Sequence, residues 1–305
     1  MLSCNYCHAF AKHSGFISYR GRMRFALINS GLGLLATASE LNKLRPDADL
    51  VIAMDPDGMP WGPRTPEDIA GRSLAMARMT AAYEPDVIIM ACNTGTVHAL
   101  DVLRAEFEPG IPVVGTVPGI KPAAAAARTV AIWATVATTA SDYQRRLIAE
   151  FGGGAAVTPV ACPGLATAVD AGDGDGIAIA IADAASRTPA GCGAVVLGCT
   201  EYELAADLIA SAVPGAILFG TAAAVAAQAL RRTVREPASA TIAGPDLSPV
   251  TGVSAGTLTV LLSGRLGKLP EAALRYRQGR ELALLTPGRE PASGRADRDA
   301  TTALL

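Results

Sequence analysis

Lysine is scarce in this chain of 305 residues, occurring only as Lys12, Lys43, Lys121 and Lys268. A pyridoxal-phosphate enzyme needs a lysine for its Schiff base. None of the four lies in a phosphate-cradling context, and Lys121, in GIKPAAAA, reads as the end of a loop before a helix. A G-x-x-x-x-G-K-[ST] loop is also missing, and INSGLG is too short and differently spaced for a dinucleotide fingerprint. No cofactor is expected. Positive charge is not in excess, the net charge being −2, so no nucleic-acid partner is expected. No apolar run approaches the ~20 residues that cross a bilayer, which argues against a membrane partner. The opening MLSCNYCHAFAKHSG lacks the long apolar region of a secretory signal, and a cytoplasmic protein is the expectation.

What the chain does have is apolar surface to bury. Hydrophobic residues reach 50% and charged residues only 18%, which suits a compact α/β enzyme with buried strands. The length allows two domains of ordinary size. The six cysteines are too dispersed for a disulfide scaffold, and a cytoplasmic chain keeps them reduced. Cys4, Cys7 and His8 spell C-x-x-C-H. Haem attachment to that motif requires export, and a zinc site requires further ligands, for which His13 is the only near candidate. We read residues 1–22 as an extension outside the fold and expect no metal.

Strand and helix patterns alternate from residue 24 onward. RFALINSGLG (24–33) reads as a buried strand entering a glycine turn, followed by a helix from about Leu34 to Leu44 and a second buried strand, DLVIAMD (49–55). A loop rich in proline and glycine leads to Thr65-Pro66-Glu67-Asp68, a helix start, with the helix running to about Tyr83. DVIIMAC and IPVVGTV (111–117) are further strands, with a helix beginning after Thr94 between them. The alternation predicts a mostly parallel, doubly wound sheet.

The pattern then restarts. TVAIWATVATTASDY (129–143) and AVVLGCTEYELAADLI (194–209) again read strand, small polar turn, helix. Ser30 precedes Thr135 by nearly the same offset by which Cys92 precedes Cys199. Two similar α/β halves are therefore expected, each with a cysteine at the carboxyl end of a strand, where open α/β sheets bind ligands. Two such halves facing each other place Cys92 and Cys199 on opposite walls of one cleft. Opposed thiols suit two-base proton transfer: one thiolate takes a proton from carbon and the other thiol delivers one to the opposite face. Asn93, Thr94 and Thr200 offer short hydrogen-bonding groups beside them. Helix N-termini just past each cysteine would attract a carboxylate and are expected to depress the thiol pKa.

These segments resemble the cofactor-independent aspartate/glutamate racemase family, its glutamate racemases in particular. INSGLGLLATASEL is similar to the family's Asp-Ser-Gly-x-Gly-Gly-Leu segment, and MPWGPRTPEDI to its Pro-Tyr-Gly loop and following helix start. ACNTGT resembles Ala-Cys-Asn-Thr-Ala, ACPGLATAVDAG resembles an Ala-Cys-Pro segment, and LGCTEYEL resembles Gly-Cys-Thr-His-Tyr. They occur in family order across about residues 24–230. The resemblance implies that Cys92 and Cys199 are the acid/base thiols. It places Ser30, Gly62, Asn93, Thr94 and Thr200 on positions that bind the amino acid's carboxylate and ammonium, and Thr135 and Thr138 in a segment that supplies further hydroxyls. Cys162 falls outside the catalytic positions, while Cys192 and His98 read as structural. A small acidic amino acid is the implied partner, D-glutamate for peptidoglycan the implied product, and a homodimer the implied assembly.

Three site positions depart from the family pattern. Asn29 stands where the family has aspartate, Glu201 where glutamate racemases have histidine, and Trp61 where the loop has tyrosine. Glu201 matches aspartate-racemase-like members, which keeps an aspartate or other amino-acid racemase open. Asn29 removes a carboxylate that would assist a thiol, which keeps a catalytically weak binding or regulatory homologue open. On the same ground Asn29→Asp is expected to raise the rate.

The expected architecture is two pseudo-symmetric, doubly wound α/β domains with the site between them. The first comprises 23–115 plus 214–279 and the second 116–213. TAAAVAAQALRRTV reads as a helix, VTGVSAGTLTVLLSGRLG as a return to the first domain, and 280–305 as a mobile tail.

Overall fold

A computed structural model describes residues 22–233 and 255–290. The chain opens with β1 (Arg24–Asn29), α1 (Leu34–Leu44), β2 (Asp49–Met54), α2 (Pro66–Ala81), β3 (Val87–Met90), α3 (Asn93–Phe107) and β4 (Val113–Gly115). There follow α4 (Ile120–Ala126), β5 (Thr129–Ala134), α5 (Val136–Ala140), α6 (Asp142–Phe151), β6 (Ala156–Ala161), α7 (Leu165–Ala171) and α8 (Gly174–Arg187). Next come β7 (Ala194–Leu197), a 3-10 turn (Thr200–Ala205), α9 (Ala206–Ala212), β8 (Ile217–Phe219) and α10 (Ala222–Thr233). The last described part holds β9 (Thr257–Leu262), β10 (Arg265–Gly267), a second 3-10 turn (Glu271–Arg275), α11 (Arg277–Leu282) and β11 (Thr286–Pro287).

The strands form two sheets. The first has the order β10-β9-β2-β1-β3-β4, with β11 also against β9, and the second the order β6-β5-β7-β8. Every pairing is parallel except that of β10 with β9. Helices cover both faces, so the central strands are apolar along their length rather than alternating. All four residues of β3 and all four of β7 are buried. Leu27, Ile28, Leu34 and Leu35 are fully buried, each stabilising the fold by about 1.5–3 kcal/mol relative to exposure.

Helix starts follow capping chemistry. The Thr65 hydroxyl accepts from the Asp68 N–H at 3.3 Å, Pro66 occupies the first turn, and Glu67 and Asp68 face the positive end of α2. Thr135 caps α5 in the same way through the Thr138 N–H at 3.2 Å.

Strand order decides where a ligand can sit. In the first sheet β1 lies between β2 and β3, so the chain reverses its winding direction at the β1–β3 gap. In the second sheet β5 lies between β6 and β7, and the reversal falls at the β5–β7 gap. Strands beside such a switch point diverge into a crevice at their carboxyl ends. Ser30 follows β1, Cys92 follows β3, Thr135 follows β5 and Cys199 lies just past β7.

Several boundaries differ from the sequence reading. The helix expected to reach Tyr83 ends at Ala81, and the strand expected over 111–117 is confined to Val113–Gly115. β8 pairs with β7 and so joins the second sheet, although residues from 214 on were assigned to the first domain. The expected tail from residue 280 needs correction. Leu282 is fully buried, β11 pairs with β9, and the Gly288 N–H donates to the Leu258 carbonyl at 2.8 Å. An Arg- and Gly-rich composition concealed a docking segment. Residues 291–305, and the Cys4, Cys7, His8 motif, lie outside the described residues. Among the described residues no helix is long and apolar enough to cross a membrane.

Candidate active site

The two switch points open onto one cavity of about 460 Å3. Ser30, Cys92, Asn93 and Thr94 line it from the first sheet's end, and Trp61 and Gly62 from the loop before α2. Thr135, Thr138, Cys199 and Glu201 line it from the second. Ten of the residues singled out from sequence therefore meet in one place. The other two, Asn29 and Thr200, stand behind the wall: Asn29 is fully buried and Thr200 is 2% exposed.

Asn29 stitches the wall together. Its Nδ2 donates to the Ala91 carbonyl at 2.7 Å and to the Thr200 hydroxyl at 3.1 Å. Its Oδ1 accepts from the Ser30 hydroxyl at 3.2 Å and the Gly31 N–H at 3.4 Å. An ionised aspartate only accepts, so it cannot bond the Ala91 carbonyl and could keep Thr200 only if that hydroxyl turned to donate. The carboxamide is thus fitted to its surroundings, a role beside which the expectation that Asn29→Asp raises the rate must be tested.

Backbone approach between the halves is unusually close here. A Cβ at Gly31 would collide with the Asp170 carboxyl, and one at Gly33 with Thr200 and Glu201. These glycines are spacers rather than turn-formers, and they let the Leu32 N–H reach Asp170 Oδ1 at 2.7 Å. Asn93 adds a second link by donating from Nδ2 to the Gly198 carbonyl at 2.7 Å, while its Oδ1 accepts from the Thr116 hydroxyl.

The two thiols have different partners. Cys92 is buried at the N-cap of α3 and its sulfur accepts from the Gly95 N–H at 3.4 Å. Burial pushes its pKa up to about 12, the Glu201 charge adds to the rise, and the backbone N–H groups of Gly95, Ser30 and Thr94 offset only part of it. Cys199 donates from Sγ to Glu201 Oε2 at 2.8 Å. Its pKa is also raised well above the ordinary value, by burial first and then by Glu201. The expected depression by helix N-termini is overturned, because desolvation of a thiolate outweighs a few N–H dipoles.

Trp61 also differs from expectation. It is 1% exposed, and its Nε1 donates to Asp55 Oδ2 at 2.9 Å, so its one polar group is spent inside the protein. Asp55 is itself fully buried and is matched by Arg72 at 3.2 Å and the Ser263 hydroxyl at 2.9 Å. The indole gives the cleft an apolar wall and fixes the loop that carries Gly62. Thr135 donates to the Thr138 hydroxyl at 3.0 Å, which orients that pair at the cleft's edge.

Sequence reasoning missed Asp170, which lines the same cleft. Its pKa is raised to about 8, by burial first and then by the Glu201 charge, with the Leu32 N–H opposing. An acid alone in the apolar helix LATAVDA was the available signal. Cys162, set aside as non-catalytic, also lines the cleft; burial pushes its thiol up to about 12.

The Asp/Glu/Hydantoin racemase family model matches residues 28–228, well over half of the chain. The chain is 38% identical to a glutamate racemase of Herpetosiphon aurantiacus over 230 residues, covering 73% of this chain and 87% of that one. It is 34% identical to a glutamate racemase of Pseudomonas putida over 211 residues, covering 67% and 79%. In structure it is similar to Escherichia coli glutamate racemase in complex with L-glutamate and the activator UDP-MurNAc-ala. That likeness has a TM-score of 0.69 at 25% identity, with 84% of this chain and 92% of that chain covered.

Proposed function

The chain belongs to the Asp/Glu/Hydantoin racemase family, and we propose that within it the protein interconverts L- and D-glutamate by proton transfer between Cys92 and Cys199. The observation that carries this reading is the placement of both thiols beside switch points that open onto one cavity. A substrate α-carbon between them is deprotonated on one face and reprotonated on the other, which inverts the centre.

The α-hydrogen of an amino acid is a very weak acid, so a weak base would not remove it. Burial supports the reaction by making each thiolate strongly basic, at the cost of keeping it protonated at rest. Glu201 supports Cys199 by receiving its proton across the 2.8 Å hydrogen bond. The Gly95 N–H, at the positive end of α3, supports charge on Cys92. A substrate ammonium, as an opposite charge nearby, lowers both thiol pKa values on binding. Ser30, Asn93 and Thr94 offer donors for the α-carboxylate, and Glu201 forms the acidic end that suits the ammonium, joined by Asp170 as a bound ammonium lowers its raised pKa.

The D-glutamate formed supplies peptidoglycan in this reading, and the enzyme works in the cytoplasm as a homodimer. Glu201 in the place of histidine favours aspartate as the second reading of the substrate. The deciding experiment incubates the purified protein with each enantiomer of glutamate and of aspartate in deuterated water, without added cofactor. Exchange of the α-hydrogen with loss of optical rotation is expected for glutamate. Exchange with aspartate alone selects the second reading, and exchange with neither ends the racemase reading for both substrates.

A further inference from the structure

We propose that Thr116 is a positioning residue for the cleft: through the Asn93 carboxamide it holds the backbone beside Cys199 at a set distance from Cys92. The inference rests on the racemisation reading only for its effect on rate.

Cys199 is held on both sides by carboxamides of the first half. Asn93, the residue after Cys92, donates from Nδ2 to the Gly198 carbonyl at 2.7 Å, and Asn29 donates to the Thr200 hydroxyl at 3.1 Å. Gly198 and Thr200 are the chain neighbours of Cys199. The far end of the first link is itself fixed. The Gly198 N–H donates to the Trp133 carbonyl of β5 at 2.7 Å, and a Cβ on Gly198 would collide with that carbonyl. The Asn93–Gly198 bond therefore joins the neighbour of one thiol to the neighbour of the other, and it sets how far apart the thiols stand.

That bond exists in only one orientation of the Asn93 amide. A carbonyl only accepts, so Nδ2 must face Gly198 and Oδ1 must face the opposite way. There Oδ1 is met by the Thr116 hydroxyl, which donates to it. Thr116 is held in turn by Thr96: its N–H donates to the Thr96 hydroxyl at 3.0 Å, and the two hydroxyl oxygens are 3.1 Å apart. Thr96 also reaches the Met90 carbonyl, at the end of β3, at 3.3 Å. All three side chains are buried, Thr116 fully, so each polar group depends on a partner within the protein. Thr116 lies between β4 and α4, where the chain leaves the first sheet for the second. Gly115 permits its approach to α3, since a Cβ there would press on Thr96 and Leu100. One hydroxyl on the crossover thus decides which way an amide in the cleft wall points, and the amide decides where Gly198 and Cys199 stand.

The test compares Thr116→Val, which keeps the shape and removes the hydroxyl, with Thr116→Ser, which keeps the hydroxyl. Two readouts are taken on each protein: steady-state racemisation of glutamate, and backbone amide exchange followed by mass spectrometry in the peptide spanning 198–202. Thr116→Val is expected to lower kcat by on the order of 10- to 100-fold in both directions with KM within about threefold, because misplacing a reacting group by ~1 Å costs about that much. Amide exchange across 198–202 should quicken, and Thr116→Ser should stay close to wild type in both readouts. Thr116→Ala removes the hydroxyl with less bulk and carries the same comparison should the valine variant not fold. Unchanged amide exchange in Thr116→Val would overturn the link, and unchanged kcat would overturn its bearing on the reaction. Failure of Thr116→Ser to restore both would show that shape, not the hydroxyl, is what matters, and would overturn the proposal as well. If wild type does not act on glutamate, quickened amide exchange in Thr116→Val keeps the positioning role and removes the racemase, whereas turnover with no difference between Thr116→Val and wild type does the reverse.

Discussion

The Cys199 thiol donates to the Glu201 carboxylate across 2.8 Å. Cys92 has the opposite character, accepting a backbone N–H from Gly95 at 3.4 Å. The fold is pseudo-symmetric at its switch points, but the proton wiring is not. One thiol has a neighbouring base, and the other has the positive end of a helix.

Glu201→Gln keeps the shape and removes the acceptor. Turnover is expected to fall by on the order of 10² to 10⁴ when Cys199 is the thiol that must be deprotonated, and by less in the other direction. The equilibrium constant between enantiomers stays at one, so kcat/KM falls equally both ways and KM absorbs the difference. Progress curves from each enantiomer, followed by circular dichroism, read this directly. Equal losses in kcat would exclude the acceptor role.

Cys92→Ala and Cys199→Ala should each lower racemisation by at least a factor on the order of 10² to 10⁴. Far-ultraviolet circular dichroism should remain that of wild type. Full activity in either variant would exclude a two-thiol mechanism.

Asn29→Asp should destabilise the protein. The variant loses the bond from Nδ2 to Ala91, can keep Thr200 only by turning its hydroxyl to donate, and brings a third carboxyl group towards Glu201 and Asp170. Leaving a buried acceptor unpaired costs about 1–3 kcal/mol. A clear fall in the denaturant midpoint, with no gain in rate, is expected. A faster enzyme would restore the view of Asn29 as a lost catalytic acid.

Asp170→Asn should stabilise the protein in a pH-dependent way. The folded-state pKa of Asp170 is raised to about 8, above the ~3.9 of an unfolded aspartate. Between these values the unfolded chain releases a proton that the folded chain retains, so the burial penalty grows as pH rises. Asparagine can still accept from the Leu32 N–H and carries no such penalty. The gain in melting temperature should be small near pH 4 and largest at pH 8 and above. A constant gain across that range would mean that Asp170 is ionised throughout.

The strand-end placement of Cys92 and Cys199 was legible in the sequence because uninterrupted apolar runs ended in Cys-Asn-Thr and Gly-Cys-Thr. The setting of Asn29 was not legible because one of its partners is Thr200, 171 positions away. Asp170 was missed for the same reason: only the approach of the two halves brings it to the Leu32 N–H. The direction of the thiol pKa shifts also lay outside local reasoning. Helix N-termini can be inferred from neighbouring residues, whereas burial depth depends on what the rest of the chain packs around them. At the carboxyl end, local composition suggested a tail, and the distant Val169 carbonyl, bonded by the Tyr276 hydroxyl at 2.6 Å, helps to anchor that region.

The first sheet is completed by the end of the described chain: β9 pairs with β2, and β10 and β11 then pair with β9. A polypeptide halted near residue 233 would already contain both thiols and every residue of the proposed site. It would also carry β2 with one side open, a row of unpaired backbone groups on a strand whose last five residues are all buried in the finished protein. Such an edge is a template for pairing with another chain. Incomplete synthesis therefore yields not a smaller enzyme but an aggregation-prone one, and the closing strands act as the molecule's safeguard against self-association.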